Sequence, residues 1–163
     1  MSRCSKILVI SACLLGQPCR YDGSSRLSPQ VLSLTRLLGL RCHPLCPEVL
    51  AGLPVPRLPA EICGGDGYRV LDGVARVRNS AGEDVTSAFL VGAERTLAMV
   101  RLLCPVAVVT KERSPSCGKR YIYDGSFSGL LRSGPGVTTA ALLRQGVTVF
   151  TEEEMAALRN YLT

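Results

Sequence analysis

The chain has 163 residues, of which 47% are hydrophobic and 20% are charged, a balance that excludes a disordered protein. This length predicts a single domain over residues 1–163, and no apolar run approaches the length of a membrane span. The net charge of +6 is mild and comes without a lysine-rich tail, so it is compatible with an anionic substrate or a transient RNA partner but indicates neither.

The first predicted element is a buried strand. The segment KILVISACL (residues 6–14) is apolar and rich in β-branched residues, which is typical of a parallel strand covered on both faces. Its apolar stretch is short for a signal peptide and leads directly into the turn-rich GQPCRYDG. The N-terminus therefore predicts a strand, and we expect the protein in the cytoplasm.

The next elements are a helix, a short strand and an irregular region. Ser28 as N-cap and Pro29 at the first helical position predict a helix in SPQVLSLTRLLGL, which ends at Gly39. A second strand is expected near residues 43–45, followed by an irregular proline-rich stretch. The alternating GYRVLDGVARVRN (residues 67–79), with a turn at Asp72-Gly73, predicts a β-hairpin.

The C-terminal half alternates strands and helices. A helix is expected from Val85 to Val100, capped by Asp84, followed by a strand in VAVVTKE. The segment TTAALLRQG predicts a short helix and VTVF a further strand. TEEEMAALRNYL predicts the last helix, with Thr151 and Glu154 as a capping box.

This order of elements predicts an α/β fold, a compact Rossmann-like or flavodoxin-like parallel sheet flanked by helices with a small β-hairpin insertion. Ligands of such sheets bind beyond the carboxyl ends of the strands. Cys13 follows the first strand, Cys46 the second, and Ser114 and Cys117 lie just past the third. Residues that are far apart in sequence are therefore expected at one edge of the sheet.

Eight cysteines are many for a chain from a reducing compartment, where disulfides are rare. No CxxC pair is present, which argues against a structural zinc knuckle. Three thiolates converging without a fourth suggest a cluster with one open iron, held by Cys13, Cys46 and Cys117. Cys4, Cys42, Cys63 and Cys104 are interpreted as small buried apolar residues. For Cys19 a role in a substrate loop and no role at all both stay open.

The Cys117 segment, KERSPSCGKRYIYDGSFSG, is rich in basic residues and glycine. Its cations, together with Arg20, would lower the cost of a negatively charged cluster and attract an electron-rich base, although some of them are expected to face water. These cations are Lys111, Arg113, Lys119 and Arg120. Tyr21 and Tyr123 would either stack on a flat ring or pack against the loops.

Several motifs, in order from Lys6 to Glu154, resemble a bacterial family long catalogued as a domain of unknown function, whose characterised members are thiouracil desulfidases. The motifs are SACLLGQPCRYDGSS, LCPEVLAGLPVPR, KERSPSCG, IYDGSFSG and GVTTAALLRQGVTVFTEEE. The resemblance implies a [4Fe-4S] cluster bound by Cys13, Cys46 and Cys117, a catalytic Glu48 and a catalytic Ser114. The sequence departs from the family at Ala51, where a second glycine is expected, and in the more basic start of RYIYDG.

The chemistry of these residue types agrees with non-redox removal of sulfur from a thiolated pyrimidine. A soft thiocarbonyl sulfur suits an open iron, and Glu48 would take a proton from the water that attacks the ring carbon. Sulfide is released and a carbonyl oxygen remains. Ser114 would donate a hydrogen bond to the substrate or orient the water, or would simply cap the turn before Pro115. Ser116 is the next candidate for this role.

Two other functions remain open at this point. One is a zinc protein that uses the three cysteines with Glu48 or His43. The other is a non-catalytic module that binds a metal or a nucleotide. The expected partner is a thiolated base or nucleoside, and the expected assembly is a monomer or a small homo-oligomer.

Overall fold

The structure is a computed structural model that describes residues 6–163. Of the four cysteines interpreted above as small buried apolar residues, Cys4 lies outside the described residues. Cys42 and Cys104 are exposed, so that interpretation is wrong for these two. The strands are β1 (Ile7–Ser11), β2 (Arg41–Leu45), β3 (Ala60–Cys63), β4 (Arg76–Asn79), β5 (Ala107–Thr110), β6 (Tyr121–Tyr123), β7 (Leu131–Ser133) and β8 (Val149–Thr151). The helices are α1 (Pro29–Leu37), α2 (Pro47–Leu50), α3 (Gly67–Leu71), α4 (Thr86–Leu103), α5 (Val137–Arg144) and α6 (Met155–Leu162).

Four strands form a parallel sheet in the order β2-β1-β5-β8. Alternate residues of β1 point to opposite faces. Leu8 and Ile10 pack with residues of α1 and α6, whereas Val9 packs with residues of α4 and α5. Helices therefore cover both faces, and the predicted α/β fold is confirmed. Strands β2 and β5 lie on either side of β1, so the connections that leave β1 and β2 run to opposite sides of the sheet. Parallel sheets form a ligand-binding crevice at such a topological switch point.

The predicted starts of α1 and α4 are present with their caps. The Ser28 side chain accepts a hydrogen bond from the Val31 amide at 3.3 Å. Asp84 accepts from the amide of Thr86, the first residue of α4, at 2.9 Å. These two rules hold because each cap satisfies an amide that has no partner within the helix. The predicted capping box of the last helix is wrong. The Glu154 carboxylate accepts from the Thr151 amide at 3.0 Å, but Thr151 ends β8 and α6 begins only at Met155.

The predicted hairpin over residues 67–79 is wrong in its first half. Residues 67–71 form helix α3, which begins after Asp66, whose side chain accepts from the Arg69 amide at 3.1 Å. Strand β4 pairs in antiparallel fashion with β3, from the stretch expected to be irregular. An insertion with a small antiparallel sheet exists, but α3 lies between its two strands. A short alternating segment does not distinguish a helix from a strand, and here the Asp66 cap favours a helix.

A second small antiparallel sheet consists of β6 and β7, which sequence analysis did not predict as strands. The loop between them, residues 124–130, reaches the carboxyl end of the parallel sheet, where Phe127 and Gly129 line a cavity. Within residues 6–163, none of the helices is both long enough and apolar enough to span a membrane.

Candidate functional site

A cavity of about 570 Å³ opens at the carboxyl ends of β1, β2 and β5. All five predicted site residues line it, and a fourth cysteine, Cys19, lies with them. The five are Cys13, Cys46, Glu48, Ser114 and Cys117. The rule for parallel sheets thus brings together residues from three separate loops.

The first two cysteines lie directly after their strands. Cys13 is part of a single 3₁₀ turn, Ala12–Leu15, that follows β1 and ends at Gly16 with φ of 90°. Its carbonyl accepts hydrogen bonds from the amides of Gly16 and Arg26, which fixes the backbone that carries the thiol. Cys46 is the residue before α2, and its carbonyl accepts from the Leu50 amide at 2.9 Å.

The Cys117 loop is held by the N-terminal end of α5. The amides of Val137 and Thr138 donate to the carbonyls of Pro115 and Ser116, and the Thr139 hydroxyl donates to the Cys117 carbonyl at 2.8 Å. Gly136 permits this contact, since a Cβ there would lie 2.5 Å from the Pro115 oxygen. The position of the Cys117 thiol is therefore set by a helix from a later part of the chain.

Glu112 holds the same loop from the other side. Its side chain is 1% exposed, and its Oε1 atom accepts from four backbone amides at 2.9–3.3 Å, those of Arg113, Lys119, Arg120 and Tyr121. One carboxylate oxygen thus joins the two ends of the loop. This buried acidic residue was not recognised from the sequence, because its partners are backbone groups.

The thiols of the cavity interact with one another. Hydrogen bonding with Cys13 raises the pKa of the Cys19 thiol. Hydrogen bonding with Cys19, followed by burial, raises the pKa of Cys46. Burial, followed by the nearby Cys46, raises the pKa of Cys117 to about 12. A cationic metal centre would offset these costs and hold the sulfurs as thiolates.

Glu48 is bound at both carboxylate oxygens. The Nε and Nη2 atoms of Arg57 each lie 2.7 Å from its Oε2, and the Ser116 hydroxyl donates to its Oε1 at 3.0 Å. Arg57 also donates from Nη2 to the Cys19 carbonyl at 3.0 Å. The Glu48 side chain is only 14% exposed, and Arg57 ties it to the Cys19 loop.

The two serines of the loop have different contacts. The Ser114 Oγ accepts from the amides of Ser116 and Cys117, at 3.2 and 3.0 Å, so it caps the turn. It lines the cavity as well. Ser116 is 1% exposed and contacts Glu48 directly. The structure therefore supports the capping interpretation of Ser114 and adds Ser116 to the surroundings of Glu48.

The basic residues around Cys117, which were expected to offset the charge of a cluster, are largely paired with carboxylates. Lys111 binds Glu152 at 2.5 Å and Lys119 binds Glu154 at 2.9 Å. Arg113 and Arg120 approach Glu153 and are about half exposed. Arg20 binds Asp22 at 3.8 Å. The charge next to the cavity is therefore nearly balanced by the acidic TEEE segment.

Three aromatic side chains line the cavity: Tyr21, Tyr123 and Phe127. Each is partly exposed, at 40%, 37% and 39% respectively. The guanidinium of Arg20 lies 5.5 Å from the centre of the Tyr21 ring. The two tyrosines were singled out from the sequence, whereas Phe127 and Arg57 were missed.

The zinc alternative finds little support in the described part of the chain. There, no three His, Cys, Asp or Glu side chains form a group that could hold a single metal ion. His43 is a residue of β2, in register with Val9, and is not part of the cavity lining. A cluster needs a different arrangement, in which each cysteine binds its own iron.

Comparison with known proteins gives three consistent results. A family model described as 2-thiouracil desulfurase matches residues 8–154. The uncharacterized protein YbbK of Bacillus subtilis (strain 168) is 43% identical over 149 residues, which cover 91% of this chain and 97% of YbbK. The solved structure of TudS, a [4Fe-4S]-dependent thiouracil desulfidase, is 41% identical with a TM-score of 0.79, covering 96% of this chain and 98% of TudS.

Proposed function

The chain belongs to the 2-thiouracil desulfurase family, and from this premise we propose that it is an enzyme that removes sulfur from thiouracil-type pyrimidines with a [4Fe-4S] cluster. The observation that carries the proposal is the convergence of three cysteines from three loops on a cavity that also contains the bound carboxylate of Glu48. The net reaction replaces the thiocarbonyl sulfur by oxygen from water, so that hydrogen sulfide and the carbonyl base are formed without net redox change.

The donor set fits such a cluster. Cys13, Cys46 and Cys117 would hold three irons, since soft thiolates are the usual ligands of iron–sulfur clusters. When bound, a cluster with three protein ligands supplies one iron that is free to act as a Lewis acid toward a soft sulfur. Cys19 is a fourth thiol in the same cavity, and the Cys46 thiol lies 3.9 Å from the Cys19 carbonyl oxygen.

Glu48 acts as the general base in this proposal. Its Oε2 is occupied by two nitrogens of Arg57, whereas Oε1 accepts one hydrogen bond, from Ser116. Oε1 therefore has a lone pair left to accept a proton from the water that attacks the ring carbon. Arg57 and Ser116 fix the direction of that lone pair, and Ser114 would orient the substrate or the water while it caps the turn.

The test is purification and assay without oxygen. We expect about four irons and four sulfides per chain, and release of sulfide and uracil from 2-thiouracil. The substitutions Cys13→Ser, Cys46→Ser and Cys117→Ser should each abolish both cluster and turnover. Cys104→Ser is the matched control, because Cys104 is exposed and lies outside the cavity lining.

A second set of outcomes separates catalysis from binding. Glu48→Gln should keep the iron content and lose turnover by a factor of about 100 or more, the range for removal of a general base. A fully loaded protein that turns over neither thiouracil nor its nucleosides would contradict the enzyme proposal and favour a non-catalytic module. Stoichiometric zinc without colour would contradict the cluster.

We also place the protein in the cytoplasm. All seven cysteines among the described residues are free thiols, the state that a reducing compartment maintains. A labile cluster with an open iron would be protected in the same compartment.

A further inference from the structure

The loop between β6 and β7, residues 124–130, presents one large side chain to the cavity. Phe127 lies at its middle, and its side chain lines the same cavity as the three cysteines. The side chain is 39% exposed, so the ring contributes little to the hydrophobic core. Core packing therefore does not explain why a phenylalanine occupies this position.

The backbone of Phe127 is in a conformation that bulky residues avoid. Its φ is 56°, in the left-handed region that glycine adopts without cost. A strained backbone that persists at the edge of a cavity is a recognised sign of function. Glycine would suit this turn better, so the ring itself is the feature to explain.

The loop is held in place by a buried carboxylate. Glu61 of β3 is 9% exposed, and its Oε2 accepts from the amides of Gly125 and Phe127 at 2.9 and 3.0 Å. Gly125 packs directly on β3, where a Cβ would lie 2.5 Å from the Ile62 oxygen. The backbone that carries the Phe127 ring is thus fixed before any ligand binds, which lowers the entropic cost of using the ring.

The faces of this ring are available. Tyr21, also in the cavity lining, already has Arg20 over its ring. Within residues 6–163, no aromatic ring or cation is stacked on Phe127. An exposed and preorganised ring beside a site for a planar heterocycle is suited to stacking.

We propose that Phe127 recognises the substrate by stacking on its planar pyrimidine ring, and that Glu61 positions it for this contact. The inference rests on the proposed function and deepens it, because it predicts that the site selects substrates whose ring is planar. Phe127 contributes to substrate affinity in this proposal and not to cluster binding or proton transfer.

The test compares Phe127→Gly with wild type and with Leu130→Ala. Glycine removes the ring and suits the positive φ, so the variant should fold with an unchanged or higher Tm. Leu130 belongs to the same loop, is 61% exposed and does not line the cavity. We expect Phe127→Gly to raise both the KM for 2-thiouracil and the Kd for uracil by about tenfold or more, the order that base–aromatic stacking contributes elsewhere. The Kd is measured by calorimetry on cluster-loaded protein. Phe127→Tyr should restore both, and Leu130→Ala should match wild type.

A second substrate separates stacking from general packing. 5,6-Dihydro-2-thiouracil carries the same thiocarbonyl on a puckered ring. Wild type should bind 2-thiouracil more tightly than this analogue, and in Phe127→Gly the ratio of the two affinities should fall toward one. Unchanged KM and Kd in Phe127→Gly would overturn the proposal, and so would a loss of iron from that variant. A loss of affinity in Tyr123→Leu that Phe127→Gly does not show would also overturn it. Failure of wild type to turn over 2-thiouracil would instead overturn the proposed function.

Discussion

Arg57 and Glu48 form a partly buried ion pair whose side chains are 9% and 14% exposed. Such pairs stabilise a fold only weakly, but removal of one partner leaves the other charge uncompensated. Arg57 also donates to the carbonyls of Cys19 and Pro54, so its side chain connects its own loop with α2 and the Cys19 loop. Its position next to the proposed base indicates that it orients Glu48.

At the residue scale, we expect Arg57→Ala to lower kcat for 2-thiouracil by about 10- to 100-fold, because misalignment of a catalytic group by a small distance has an effect of that order. KM should change less, and iron content should stay that of wild type. Arg57→Lys, which cannot place two nitrogens on Oε2, should recover only part of the activity. The matched control is Arg144→Ala, because Arg144 pairs with Asp72 at 2.9 Å and lies outside the cavity lining. A fall in iron content with Arg57→Ala would contradict the interpretation.

At the scale of elements, α5 and the Cys117 loop form one unit. Two neighbouring threonines of α5 differ in their bonding. The Thr139 hydroxyl donates to the Cys117 carbonyl at 2.8 Å, whereas the buried Thr138 hydroxyl has no hydrogen-bond partner among the described residues. Both side chains are at most 2% exposed, so they form a matched pair.

We therefore expect Thr139→Val to lower the free energy of unfolding by about 1–3 kcal/mol, because the Cys117 carbonyl is left without a partner. Thr138→Val should be neutral or stabilising, since it removes a buried hydroxyl that makes no bond. Urea unfolding of the cluster-free proteins measures both. Thr139→Val should also retain less iron, and equal effects of the two substitutions would contradict the proposed coupling.

At the scale of the whole molecule, a cluster held by residues from three loops can bind only to the folded chain, so its binding stabilises the folded state. Loading at about 1,000 times the dissociation constant stabilises the native state by about 4 kcal/mol. For a chain of this size we expect a rise in Tm of about 10 °C, measured without oxygen by calorimetry. Cys117→Ser should show no such rise, and an equal rise in that variant would contradict the ligand assignment.

The sequence predicts the parts of the fold that depend on local patterns. Apolar β-branched runs located β1 and β5, and Ser28 located the start of α1. The strand predicted at residues 67–71 is wrong, because a short alternating run fits both the helix and the strand period and the Asp66 cap begins a helix there. The edge rule for parallel sheets also predicted that Cys13, Cys46 and Cys117 would meet at one cavity.

The sequence does not predict contacts between loops. Arg57 follows a proline-rich stretch without periodicity, and only its place at the end of the LCPEVLAGLPVPR motif pointed to it. Phe127 and Glu61 belong to segments 66 residues apart that meet through backbone amides. Such pairs depend on how loops are oriented by the finished sheet, which a one-dimensional pattern does not contain.

The dependence of the Cys117 loop on α5 has a consequence for maturation. A nascent chain that has emerged from the ribosome only as far as β5 carries two of the proposed ligands, Cys13 and Cys46, but lacks Cys117 and the helix that orders it. Insertion of the cofactor therefore has to wait until α5 has docked, and the delivering machinery would act on a completed domain and not on a growing polypeptide.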